Sequence, residues 1–153
     1  MKVALGSDHV GIELKTVLME HLRQQGVEMI DVGTYSTERC DYPDYACKAA
    51  ELVASGECQR GILCCGTGVG ISIAANKMRG IRCVCCSEPY SARLSRQHND
   101  TNMLAMGSRV VGIELAKMIL DAWLFEEFEG GRHENRVNKI AQIEERGGIA
   151  SEQ

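Results

Sequence analysis

Strand-like and helix-like patterns alternate along this chain from one end to the other, and that alternation limits the fold more than any other feature. Successive parallel strands need a crossover of about a dozen residues between them, and helices supply it. Residues 2–7 form a short apolar run, and Leu14, Val17, Leu18 and Leu22 then recur at helical spacing before Gly26. Residues 27–32 predict a second strand, 45–53 a helix closing near Gly56, 61–65 a third strand and 71–78 a helix. A fourth strand over 81–86 leads to Pro89, which suits the first turn of a helix over 89–97. A fifth strand covers 102–106, and the helix after it carries Leu115, Met118, Ile119, Ala122 and Trp123 on one face. Gly130-Gly131 breaks that helix, and a last amphipathic helix covers 133–145. The expected class is α/β: a doubly wound, Rossmann-like, five-stranded parallel sheet in an αβα sandwich. Ligands of such sheets bind beyond the carboxyl ends of the strands. Four of those ends carry chemistry here: Ser7-Asp8-His9, Cys65-Gly66-Thr67, Ser87-Glu88 and Gly107-Ser108-Arg109.

A length of 153 residues suits one domain, read as 1–146 with a tail at 147–153. The net charge of −4 argues against general nucleic-acid binding. No apolar run approaches the ~18 residues of a membrane span, and the first residues are too soon interrupted for a signal peptide. The expectation is a cytoplasmic protein. Of eight cysteines, five lie in strand-like runs, so buried free thiols are expected in place of a disulfide scaffold. Cys64-Cys65 and Cys83-x-Cys85-Cys86 lack metal-ligand spacing, and no structural metal is expected.

The richest segment is Cys65-Gly66-Thr67-Gly68-Val69-Gly70-Ile71-Ser72, a glycine loop with a thiol at its mouth where a strand becomes a helix. Positions without side chains admit a ligand to the backbone, and unpaired amides at a helix start favour negative charge. A dinucleotide fingerprint fails because Ile71 stands where the last Gly or Ala belongs. A triphosphate loop fails for want of a following Lys-Ser or Lys-Thr, and a cysteine phosphatase loop for want of an arginine at position 71. An anion-binding loop beside a thiol survives. Asp8 and His9 project toward the same crevice, although an aspartate there could simply cap the helix beginning near His9. His21 falls on an apolar face and reads as a packed histidine. His98-Asn99-Asp100-Thr101-Asn102 is more polar than a turn requires, and His98 titrates where protons can move in both directions. Arg132 and Arg136, four apart on a helix, are either a solvated basic face or a phosphate clamp, with Arg109 as a third candidate.

Gly6-Ser7-Asp8-His9-Val10-Gly11, Asp41-Tyr42-Pro43, the run from Cys65 to Lys77, residues 87–92, residues 98–102 and Gly130-Gly131-Arg132-His133 closely resemble the type B ribose-5-phosphate isomerases. The wider family includes galactose- and allose-phosphate isomerases. Cysteine at 65, with no acidic residue between Gly66 and Gly80, resembles the branch that uses a cysteine base. The resemblance implies a ribose 5-phosphate to ribulose 5-phosphate isomerase of pentose phosphate metabolism, working through an enediolate without metal or organic cofactor. It implies Cys65 as carbon base with Thr67 assisting, His98 for ring opening and Asp8 for the hydroxyl protons. It assigns phosphate to His9, Arg109, Arg132 and Arg136, sugar contact to Asn99, pocket lining to Tyr42, and the enediolate oxygen to amides of the loop carrying Gly66, Gly68 and Gly70. It implies a homodimer with shared active sites, or a tetramer built from it, and a sugar-phosphate substrate. Trp123, Leu124, Phe125 and Phe128 fit either such an interface or a thick core within the chain. An isomerase of six-carbon sugar phosphates is the alternative, and a non-catalytic sugar-phosphate sensor a remote one.

Overall fold

The computed structural model describes residues 1–147, which follow in the order β1 (Lys2–Ser7), α1 (Ile12–Gln24), β2 (Glu28–Asp31), α2 (Tyr42–Ala54), β3 (Arg60–Cys65) and α3 (Val69–Ala75). Then come β4 (Cys83–Cys85), α4 (Pro89–Asn99), β5 (Met103–Gly107), α5 (Ile113–Leu124) and α6 (Arg132–Glu145). Of the expected tail, residues 148–153 lie outside the described residues. The five strands form one all-parallel sheet in the order β2-β1-β3-β5-β4, as the alternation requires. The winding reverses between β1 and β3, so their carboxyl ends open a crevice at Asp8 and Cys65.

Strand residues alternate between two cores because their period is two. Val3, Leu5, Ile62, Cys64, Leu104 and Met106 pack with residues of α1, α4 and α5, including fully buried Trp123. Ala4, Leu63, Cys65, Met103 and Ala105 pack with α2 and α3. Cys64 and Cys65, adjacent in sequence, therefore point to opposite faces. Ala46, Ala49 and Ala50 are buried along α2, small residues that let the helix lie close on the sheet. At α4, the Glu88 carboxylate accepts the Ser91 amide at 2.9 Å and Pro89 fills the first turn, so the start is fixed by local chemistry. Its end is a left-handed Asp100, whose carboxylate takes Arg96 and Arg82.

Several expectations shift. Helix α2 begins at Tyr42, three residues before the predicted start, because Pro43 suits a first turn. Strand β4 shrinks to Cys83–Cys85: it is the sheet edge, and Ile81 is held in a turn by the Met78 carbonyl. Along α5 the buried stripe is Ala116, Ile119, Leu120, Trp123 and Leu124, leaving Met118 exposed, so the predicted face was rotated toward solvent. Trp123 and Leu124 belong to the core of the chain, whereas Phe125 is exposed and Phe128 lies beyond the helix. All eight cysteines are free, but only Cys58, Cys64, Cys65 and Cys86 are buried; the edge position of β4 leaves Cys85 exposed and Cys83 half-buried. His21 packs at the boundary of α1 and pairs with Asp121 at 2.8 Å.

Candidate active site

The carboxyl ends of β1, β3 and β5 converge on the glycine loop. Cys65, 4% exposed, ends β3, and the amide of Gly68 donates to its Sγ at 3.1 Å, an arrangement complementary to a thiolate. Gly68 takes a left-handed φ of 78°, which favours glycine, and a Cβ there would sit 2.8 Å from the Met106 carbonyl carbon. Gly107 is equally confined, since its Cβ would lie 2.6 Å from the Thr67 backbone. Tyr42, at the start of α2, lays its ring over Gly70, where a Cβ would meet the ring at 2.6 Å. The loop is thus clamped between β5 and α2. Thr67 is exposed, and its hydroxyl accepts the Val69 amide at 3.3 Å.

Asp8 is buried beside the loop, its own amide donating to the Cys64 carbonyl at 3.2 Å. Helix α1 begins at Ile12 and not near His9; the Asp8 carboxylate instead orders the turn before it. Its Oδ1 accepts the amides of Val10 and Gly11 at 3.0 and 2.9 Å. His9 accepts the Cys40 amide on Nδ1 at 3.2 Å, which fixes its ring against the loop before α2. Ser108, named at a strand end in the sequence but given no role there, bridges the Val10 and Cys65 carbonyls with its hydroxyl and holds Cys65 again through its amide at 2.8 Å. Its place directly after a predicted strand was the available signal. Arg109 follows, anchored by its amide to the Gly66 carbonyl, with its side chain exposed over Gly66.

The remaining candidates lie elsewhere. Helix α4 runs from the carboxyl end of the sheet back to the amino end, so its eleven residues carry His98 and Asn99 about 16 Å along the helix away from the Cys65 end. The Asn102 carbonyl beyond them accepts the amide of Gly61, near the start of β3. Here His98 stacks on His133, with centroids 4.1 Å apart and planes 6° from parallel. The Glu129 carboxylate stands 3.8 Å from Nε2 of His98 and 3.6 Å from that of His133. Arg132 and Arg136 are exposed on α6 beside this pair, and Asn99 is exposed at the end of α4. In the sequence His133 stands out only within Gly130-Gly131-Arg132-His133, and Glu129 carries no signal beyond its place before the glycine pair. Their meeting with His98 is set by the docking of α6 on α4. A cavity of about 750 Å³ along the β4 edge, between α3 and α6, is separate from the Cys65 loop.

Titration follows burial. Burial, then the neighbouring Cys65, pushes the Cys64 thiol up to about 12, and burial, then Glu88, does the same to Cys86. Burial first, then His98 and Arg132, holds His133 below the ordinary histidine range against the opposing pull of Glu129. The Ser91 hydroxyl and amide lower Glu88, making it a helix cap more than an acid.

Residues 3–140 match the family model described as Ribose/Galactose Isomerase. The chain is 66% identical to ribose-5-phosphate isomerase B of Escherichia coli over 145 residues, covering 95% of this chain and 97% of that protein. Its fold is similar to that of Clostridium thermocellum ribose-5-phosphate isomerase B, with a TM-score of 0.95 at 56% identity over 96% of this chain and 99% of the other. A ribose 5-phosphate isomerase of Thermotoga maritima gives a TM-score of 0.90 at 49% identity, over 93% and 98% of the two chains.

Proposed function

Since this chain belongs to the ribose/galactose isomerase family, we propose that it interconverts ribose 5-phosphate and ribulose 5-phosphate with Cys65 as the carbon base. The observation that carries the reading is the Cys65 sulfur, buried at the floor of a clamped glycine loop with an amide N–H aimed at it. The reaction requires a base for one carbon proton, donors for a developing oxyanion, an acid for ring opening and a phosphate clamp.

The thiolate of Cys65 takes the proton from C2 of the aldehyde form and returns it to C1, while the C1 oxygen passes through the enediolate. Because the Gly68 amide is engaged on sulfur, the amides of Gly66, Thr67 and Gly70 serve the oxygen; one such donor is worth ~3–4 kcal/mol of barrier. Asp8, tied through Oδ1, uses Oδ2 to carry hydroxyl protons between O2 and O1. The Thr67 hydroxyl assists beside the reacting carbons. His98 protonates the ring oxygen as the C1–O bond opens, and Asn99 contacts the sugar. His9, Arg109, Arg132 and Arg136 hold the phosphate, and Tyr42 closes the pocket over the loop. Proton transfers alone account for the route, so no metal or organic cofactor enters it.

Cys65 and His98 stand at opposite ends of one sheet, so a single chain cannot bring both to one sugar. We assign the missing half to a second copy in a homodimer, each site combining the Cys65 loop of one protomer with His98, Arg132 and Arg136 of its partner. Val69 and Ile73, exposed one turn apart on α3 beside Cys65, are the apolar surface such a copy would cover. The domain at 1–146 is the catalytic unit, and the setting is the cytoplasm.

Cys65→Ala should lower kcat on the order of 10³-fold while calorimetry still detects binding of an unreactive sugar phosphate. Co-refolding it with His98→Asn should return about a quarter of wild-type turnover on ribose 5-phosphate, because each mixed dimer holds one site with both halves intact. Near-normal turnover of Cys65→Ala overturns the base, and a mixture no better than its parts overturns the shared site.

A further inference from the structure

Two titratable rings, His98 and His133, form a parallel stack, beside which the Glu129 carboxylate lies. The three bring ligand atoms within 4.8 Å of one another, a spacing that suits a metal ion. The ring planes do not. An imidazole donates its lone pair in the plane of the ring, and planes 6° apart with centroids at 4.1 Å cannot both converge on a single ion. Parallel stacking with a carboxylate near both Nε2 atoms suits a pair of rings held in one fixed orientation.

The two rings are unequal. His133 lies on the inner side of α6 and is 7% exposed, whereas the His98 side chain is one-third exposed at the end of α4. The stack is held from both elements. The Glu129 amide donates to the Gln97 carbonyl at 3.0 Å, and the Gln97 side chain donates to Glu126 at 2.8 Å, which ties the segment before α6 to the last turn of α4. The groups facing His133 are His98 from α4, Glu129 from the connection, and Arg132 and Arg136 from α6. Three of these four oppose a positive charge on His133, and its burial adds to them.

We propose that His133 is a positioning residue for His98, fixing the plane of its imidazole by stacking, with the Glu129 carboxylate at the Nε2 edge of both rings. The proposal rests on the reading of His98 as the group that opens the sugar ring. It adds why that histidine holds one orientation on an exposed helix end: a buried ring covers one face, and the carboxylate of Glu129 stands at the Nε2 edge.

Ribose 5-phosphate is mostly a closed ring, whereas ribulose 5-phosphate cannot form a five-membered ring because its O5 carries the phosphate. Exchange of the C1 proton of ribulose 5-phosphate with solvent deuterium therefore reports proton transfer at carbon without ring opening or closure. Turnover of ribose 5-phosphate and this exchange would be measured for His133→Ala, His133→Phe and His98→Asn, together with imidazole ¹⁵N titrations. His133→Ala should lower kcat on ribose 5-phosphate about tenfold, with its KM and the C1 exchange rate within about twofold. His133→Phe keeps the stack and should recover most of the loss. In His98→Asn the titration midpoint of His133 should rise, because an opposing charge is gone. If His98→Asn slows turnover of ribose 5-phosphate and C1 exchange of ribulose 5-phosphate equally, the ring-opening reading of His98 fails. If its loss is confined to turnover while that of His133→Ala is not, or if the His133 midpoint stays put, the positioning role is overturned.

Discussion

The two ends of the sheet are built in opposite ways. At the Cys65 end the chemistry is set in backbone: Gly68 and Gly107 leave no room for a Cβ, the Gly68 amide aims at sulfur, and Ser108 binds the ends of β1 and β3 together. At the His98 end it is carried by side chains on helix termini, with Arg132, Arg136 and Asn99 exposed and Gly130 and Gly131 free of near neighbours. The difference matches what each half must do. Under the proposed roles, abstracting a carbon proton would tolerate little error in position, which rigid elements around Cys65 would provide. A phosphate clamp and a ring-opening acid would reach toward a sugar held by the other copy, and long side chains on a helix end suit that.

The contrast can be broken most severely through a glycine. Gly107→Ala places a methyl 2.6 Å from the Thr67 backbone, which cannot yield without moving the loop. It should lower kcat roughly 100-fold and cost about 1–3 kcal/mol in denaturant unfolding. Gly130→Ala, at φ 65° but with nothing within 4 Å, is the matching change at the other end. It should cost about 1 kcal/mol of backbone strain and leave kcat within about twofold. Equal losses of kcat in the two variants would erase the distinction between a rigid end and an open one.

A smaller effect is expected from the clamp. Arg136→Ala removes one exposed guanidinium and should raise KM about tenfold, the worth of one charge-assisted bond of about 1.5 kcal/mol, with kcat nearly kept. Steady-state kinetics checks it, and an unchanged KM would remove Arg136 from the phosphate.

A further effect, on stability and not on turnover, appears in alkali. Burial pushes the Cys64 and Cys86 thiols up to about 12 in the folded protein, above the usual value near 8.5 of an unfolded chain. The unfolded state therefore loses these protons first as pH rises. Their contribution is whole below about pH 8.5 and is lost between there and about pH 12. Thermal midpoints should fall from pH 8 to pH 10.5, and less so in Cys86→Ala. Cys64 lies near the carboxyl end of β3 and Cys86 just beyond that of β4, so protection against hydrogen exchange should weaken there before it weakens around His98.

The order of elements was legible because hydrophobic period distinguishes strand from helix without knowledge of any contact. The alternating runs at Leu5, Ile62 and Leu104 and the punctuation at Gly26, Gly56 and Pro89 were enough for a five-stranded parallel sandwich. Edges were less legible. Whether Ile81 continues a strand depends on a neighbour the sequence does not name, and the exposure of Met118 depends on which way α5 rolls against α4. Within the candidate site, the grouping of Asp8, His9, Cys65 and Arg109 followed from strand ends alone, because parallel strands bring their carboxyl ends to one edge.

Local sequence, then, determined the class of fold, the family and the half of the site that sits on strand ends, since each depends on order along the chain. Tertiary structure decided the rest. It committed the Gly68 amide to the Cys65 sulfur, set His133 and Glu129 against His98, and carried that histidine to the far end of the sheet. These outcomes depend on how helices dock and which way they run, and no spacing in the sequence encodes a distance between elements that meet only when the chain has folded.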